Sequence, residues 1–188
     1  MAATAIGDRQ RQDAQPSFVL HTYPFRETSL VVEVFTRNSG RVGLVARGAR
    51  RPKSALRGLL MAFQPLLLSW AGKAELRTLH KAEWQGGIAQ LQGTGLMCGF
   101  YLNELLLKFL ARDDPHEALF TVYHEAIVAL SQRLEPAATL RRFEKNHHLL
   151  PPDSLSEETS IQVQSEVPNL RGKSAPAQVE ESNHEYAH

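Results

Sequence analysis

TSLVVEVFTRNSGRVGLVARGARRPKS, residues 28–54, carries the reading on which the fold turns. Its first ten residues, 28–37, are rich in Val, Phe and Thr, as half-buried strands are. Asn38-Ser39-Gly40 interrupts, and Arg41-Val42-Gly43-Leu44-Val45-Ala46-Arg47 resumes with alternating polarity. A turn holding Asn and Gly between two such runs signals a hairpin, because both residues accept the left-handed backbone of a tight reversal. The remainder, Gly48-Ala49-Arg50-Arg51-Pro52-Lys53-Ser54, contains Gly and Pro and no apolar period, and reads as a loop.

Further strands are predicted on either side, at 17–22, 65–70 and 74–80, the last two separated by the turn Ala71-Gly72-Lys73. Five short strands in about 65 residues suit a small closed barrel such as an OB-fold, and a meander or an SH3-like barrel fits the same pattern. Beyond residue 88 the period becomes helical. In 96–110, Met97, Tyr101, Leu105, Leu106 and Phe109 recur on one face, with Asn103, Glu104 and Lys108 on the other. Asp114 is placed to cap a second helix, Pro115 to stand at its first position, and Glu117 follows three residues after the cap. Its buried stripe is Leu119, Phe120, Tyr123, Ile127 and Leu130. Pro136 opens a third helix with Leu140 and Phe143 on one face.

From residue 146 the chain holds 2 basic and 7 acidic residues, four prolines and a single aromatic, Tyr186. Such a segment buries too little apolar surface to offset ordering entropy, about 1–2 kcal/mol per residue. The predicted organisation is therefore an α+β chain: a flexible N-terminus at 1–16, a β-barrel domain at 17–84, a helical domain at 88–145 and a disordered tail at 146–188.

The net charge of +1 conceals a strong asymmetry. Residues 1–81 hold 13 Lys+Arg and 5 Asp+Glu, whereas 82–188 hold 8 and 15. Between residues 34 and 74 there is no acidic residue, yet Arg37, Arg41, Arg47, Arg50, Arg51, Lys53, Arg57 and Lys73 all lie there. Guanidinium groups match phosphate oxygens, and each neutralised phosphate releases counterions, so a polyanion is the expected partner. With Arg77, these residues are the candidate DNA contacts. Tyr23 and Phe25, in a polar turn region, are the candidates for base stacking; Phe35, Phe63 and Trp70 are also near, but most aromatics of a small barrel are core.

Catalytic readings fare badly. Between residues 14 and 81 the only acids are Glu27, Glu33 and Glu75, too few for metal-assisted hydrolysis. His147-His148 point to different sides and no third ligand follows. Gly48 and Gly58 form no Walker pattern. The lone Cys98 excludes an internal disulfide and a multi-cysteine zinc site, and reads as core. No run approaches the 18 or so apolar residues of a membrane span, and residues 1–15 lack the apolar centre of a secretory signal. The expectation is a non-enzymatic, cytoplasmic protein without cofactor or metal.

Several stretches, taken in order, resemble the RecO family of bacterial recombination mediators. They are Phe18-Val19-Leu20-His21, Phe25-Arg26-Glu27-Thr28-Ser29-Leu30, Ser39-Gly40-Arg41-Val42, Val45-Ala46-Arg47 running into the basic loop, Phe63-Gln64-Pro65, Tyr101-Leu102-Asn103-Glu104-Leu105 and Leu140-Arg141-Arg142-Phe143-Glu144. The resemblance implies an N-terminal five-stranded OB-fold with a helical domain behind it. It also implies binding of single- and double-stranded DNA and annealing of complementary strands. Partnership with RecR and with the acidic C-terminal tail of SSB follows from it, and through them RecA loading in the RecF pathway at the bacterial nucleoid. In the family the helix bearing Leu140–Glu144 continues, whereas Pro151-Pro152 follows here. The helical domain is therefore expected to be incomplete, shortened or divergent after about residue 145, with Leu140 and Phe143 more exposed than in a complete relative and the RecR and SSB contacts affected. An RNA-binding barrel, or an adaptor for an acidic protein tail, is the alternative that the same charge pattern allows.

Overall fold

The computed structural model describes residues 11–145. The readings of a flexible segment at 1–10 and a disordered tail at 146–188 fall outside the described residues. Five strands form: β1 (Arg11–Phe25), β2 (Ser29–Thr36), β3 (Gly40–Ala46), β4 (Leu66–Ala71) and β5 (Leu76–Trp84). A single helical turn, α1 (Leu56–Leu59), lies between β3 and β4; α2 (Gly93–Phe109), α3 (Glu117–Ser131) and α4 (Pro136–Lys145) follow the barrel.

The strands close in the order β1-β2-β3-β5-β4 and back to β1. β3 and β5 run parallel, and every other pairing is antiparallel. In a meander β3 would neighbour β4, so the meander alternative is excluded and the topology is that of an OB-fold. β1 is much longer than the expected strand at 17–22. Residues 11–16, expected in a flexible N-terminus, pair with β4 from Arg11↔Ala71 to Ser17↔Leu66, and 17–25 pair with β2. That first part is polar and largely exposed, so no apolar period betrayed it; backbone pairing to β4 holds it, with the Ala14 amide donating to Ser69 Oγ at 3.0 Å.

Alternation divides each strand between two cores. Val32, Val34, Val42, Leu44, Ala46, Leu66, Leu68 and Trp70 point into the barrel, none more than 1% exposed. On the outer side, Phe18, Leu20 and Phe35 join Leu102, Leu106, Phe120, Tyr123 and Phe143 in a second cluster beneath the helices. The Phe18 ring meets Phe120 at 5.6 Å and Tyr123 edge-on at 5.2 Å. Each such side chain stabilises the fold by about 1.5–3 kcal/mol. The helices thus cover one half of the outer face of β1 and β2.

Three helical expectations need correction. The buried face of α2 is Cys98, Leu102, Asn103, Leu105 and Leu106, while Met97 is 65% exposed and Tyr101 and Phe109 are half-buried. The helix is apolar on more than one side, so spacing alone could not phase it. Asn103, placed on the polar side, is buried because its amide donates to the Leu20 carbonyl at 2.9 Å and accepts from Tyr123. Second, α3 starts at Glu117, and Asp114 does not cap it. The Asp114 carboxylate lies 3.0 Å from the His116 ring, and the Asp113 amide donates to the Arg41 carbonyl at 3.0 Å. Asp114 is committed to the barrel instead: its backbone presses so closely on Gly40 that a Cβ there would stand 1.9 Å from the Asp114 carbonyl oxygen. Third, Phe143 is 2% exposed, which leaves it no room to be appreciably more exposed than in a complete relative, and Leu140 is half-buried. The stripe Leu119, Phe120, Tyr123, Ile127 and Leu130 is buried as the sequence predicts.

Candidate nucleic-acid interface

Eight of the nine cationic candidates fall into two groups at opposite ends of β3. Arg41 and Arg47 flank that strand, six steps or about 20 Å apart. At the Arg41 end the guanidiniums are taken up by acids. Glu33, 4% exposed on the outer face of β2, lies beneath Arg41 at 3.5 Å and accepts from Arg112, which also meets Glu75 at 3.2 Å. Arg41 donates in addition to the Leu107 carbonyl at the end of α2. Arg77 pairs with Asp113 at 2.7 Å, and Arg37 sits 4.0 Å from Glu117 and over the Phe120 ring. These contacts join barrel to helices as a seam, and Arg112 is the member that the sequence reading missed. Two of the seam's acids, Asp113 and Glu117, come from beyond residue 100, which local charge counting could not reveal. Lys73 stands exposed in the β4–β5 turn, apart from both groups.

At the other end, Arg47, Arg50, Arg51 and Lys53 are exposed, and among the described residues no acid lies within ion-pair distance of any of them. Their loop is held in place at several points. Ala49 is fully buried in the barrel core, and the Arg50 amide donates to the Thr28 carbonyl at 2.9 Å. Successive turns, Arg51 amide to Gly48 carbonyl and Ser54 amide to Arg51 carbonyl, coil the rest. Gly48 takes φ +68, which a side chain resists, and the Arg51 side chain folds over it. The Arg50 guanidinium reaches the Arg26 carbonyl at 3.3 Å, tying the loop to the β1–β2 turn. Arg26 itself is exposed, with its guanidinium over the Phe25 ring, and belongs to the group although the sequence reading passed over it. Arg57 follows, exposed, on α1.

Beside this loop lies the half of the outer face that the helices leave open. Register places Tyr23 opposite Val31 and Val31 opposite Val45 in one row, with Phe25 opposite Ser29 in the next. Tyr23 is 46% exposed and its ring meets that of exposed His21 at 4.4 Å, tilted by 52°; Phe25 is half-buried. Phe35 and Trp70 are fully buried, and Phe63 is 5% exposed. The structure therefore brings Tyr23, Phe25, Arg47, Arg50, Arg51 and Lys53 to one end, and separates Arg37, Arg41, Lys73 and Arg77 from them. An aromatic and aliphatic strip bordered by unpaired guanidiniums can stack a base and hold its phosphates together.

Elsewhere, Met61, Phe63, Gln64, Leu91, Leu96 and Phe100 line an uncharged groove of about 320 Å³, with Trp84 60% exposed and bonded to Gln64 at 3.1 Å. Among the described residues no helix is long and apolar enough to cross a membrane.

Comparison with known proteins agrees with this architecture. A family model described as Recombination protein O N terminal matches residues 12–87, and one described as Recombination protein O C terminal matches residues 90–146. The DNA repair protein RecO of Nitrosospira multiformis is 68% identical over 138 residues, which cover 73% of this chain and 57% of that protein. Its counterpart in Aromatoleum aromaticum is 60% identical over 139 residues, 74% of this chain and 58% of that one. That of Dechloromonas aromatica is 58% identical over 142 residues, 73% and 58% respectively. The chain thus spans a little under three fifths of the length of these relatives. Two consecutive family models covering barrel and helices, with such relatives behind them, lead to one conclusion: the chain belongs to the RecO family.

Proposed function

We propose that the chain is a non-enzymatic DNA-repair and recombination protein that binds DNA through the open end of its barrel. In this reading it anneals complementary strands and, with RecR, assists RecA loading onto SSB-coated single strands in the bacterial cytoplasm. The observation that carries the reading is the pinned loop bearing Arg47, Arg50, Arg51 and Lys53 without acidic partners, next to Tyr23 and Phe25 on an OB barrel. Phosphate contacts supply affinity without sequence preference, and stacking adds to it through a face that every base has. Support for the repair role comes from the names of the relatives, and these are longer than the matched region.

The test is binding of labelled oligothymidylate across a range of salt. Replacing Arg50, Arg51 and Lys53 together by Ala flattens the log–log slope by about 2 units, at about 0.7 per contact. An unchanged slope removes the loop from the site. Annealing of SSB-coated complementary strands by the chain, compared with a full-length relative, tests the finer role. Matched RNA competitors that displace the DNA equally would favour an RNA-binding barrel.

A further inference from the structure

A β-bulge interrupts β5 where it passes β4. Ser69 pairs with Lys81 and Trp70 with Leu79, so His80 is left over between them. An extra residue in one strand breaks strict alternation and re-aims the neighbouring side chains. Here Leu79 enters the barrel core, while both His80 and Lys81 are exposed. The position matters because of the parallel pairing: Arg47 and His80 each lie two residues beyond the pair Val45↔Thr78. The bulge therefore continues the cationic edge that Arg47 begins.

The opposite way off the platform is closed. Down β2 and β3 towards the seam, Arg112 lies against Gly43 so tightly that a Cβ there would stand 2.5 Å from its Nη1. Glu33 is buried beneath Arg41 and Arg112, and Phe18, Leu20 and Phe35 are beneath the helices. A polynucleotide crossing Tyr23 and the basic loop meets a wall on that side and an open, cationic edge on the other.

We propose that a single strand crossing the platform leaves it over the β5 bulge, with Lys81 holding one of its phosphates. This rests on the reading of the basic loop given above. Lys81 is paired with Glu83 at 2.9 Å, both side chains well exposed. Such a pair contributes little in water, so a phosphate displaces Glu83 readily, and Glu83 opposes binding by its own charge.

Anisotropy of labelled oligothymidylate with the full chain, across a range of salt, decides the matter. Lys81→Ala lowers the log–log slope by about 0.7, one phosphate contact. Glu83→Gln tightens binding. Lys108→Ala, which removes the same charge from α2, leaves the slope as it was. If Lys81→Ala leaves the slope unchanged while the Arg50, Arg51 and Lys53 triple substitution flattens it, the exit over the bulge is wrong and the loop reading stands. If the triple substitution has no effect either, both fall. An equal loss of slope in Lys108→Ala also overturns the proposal, because net charge would then explain the result.

Discussion

The Tyr123 hydroxyl donates a 2.6 Å hydrogen bond to Oδ1 of Asn103, whose amide in turn donates to the Leu20 carbonyl at 2.9 Å. One fully buried phenol, one buried amide and one barrel carbonyl thus link α3, α2 and β1. The hydroxyl, the amide and the carbonyl of this relay are all partnered, which is the condition for placing them in a core.

Tyr123→Phe keeps the ring and removes the donor, leaving the Asn103 oxygen short of its bond. The expected loss is about 1–3 kcal/mol by urea unfolding. Burial also pushes the Tyr123 phenol above its ordinary value of 10.0. The unfolded phenol ionises first as pH rises, so this contribution to stability is fully present below about pH 10 and is lost above it. Stability measured at about pH 8 and about pH 10.5 should therefore fall more steeply in the parent than in Tyr123→Phe. Parallel declines would show that the buried phenol is not responsible.

Gly40→Ala tests the closure between the hairpin turn and the start of the helical layer. The backbone there takes φ +64, and a Cβ would collide with the Asp114 carbonyl. A loss on the order of 3 kcal/mol or more is expected, well beyond an ordinary turn substitution. A change under about 1 kcal/mol would mean that the two segments are not in contact.

Arg112→Ala removes one of two cations over Glu33 and should cost about 1–3 kcal/mol. Glu33→Ala should cost more, because Arg41 and Arg112 then lie partly buried without their shared acid. Thermal or urea unfolding orders the two variants, and the reverse order would contradict the seam as described.

The two tryptophans offer an optical check. Trp70 is fully buried in the barrel and Trp84 is 60% exposed. Iodide should quench one component of the emission and spare a blue-shifted one. In Trp84→Phe the quenchable component disappears; its survival would place Trp70 nearer to solvent than the barrel allows.

How far the sequence carried the fold depended on the kind of signal each segment held. The Val, Phe and Thr content of 28–37 and the alternation in Arg41–Arg47 marked β2 and β3 plainly, and the α3 stripe from Leu119 to Leu130 was legible because one side only is apolar. Residues 11–16 left no trace because their role is carried by backbone pairing. Met97 misled because α2 is apolar on a second side, where Leu96 and Phe100 line the uncharged groove. At the candidate site, charge counting picked out Arg47, Arg50, Arg51 and Lys53, which the structure brings together at one end of β3. It could not separate them from Arg37, Arg41 and Arg77, whose acidic partners include residues remote in the chain. Arg26 was passed over for a simple reason: Glu27 beside it hides its charge in any count along the chain, although the turn exposes both.

The neutralised seam at one end of β3 and the bare cations at the other make the described part of the barrel lopsided in its electric field. In a field like this a protein experiences torque as well as attraction, so it tumbles into alignment with a polyanion before any atom touches. Productive encounters then become more frequent at low ionic strength, and the advantage fades as the Debye length shrinks to about 3 Å near 1 M salt. On the proposed DNA-binding reading, Glu33, Asp113 and Glu117 give the approach its direction by absorbing the guanidiniums that would otherwise pull the seam end forward.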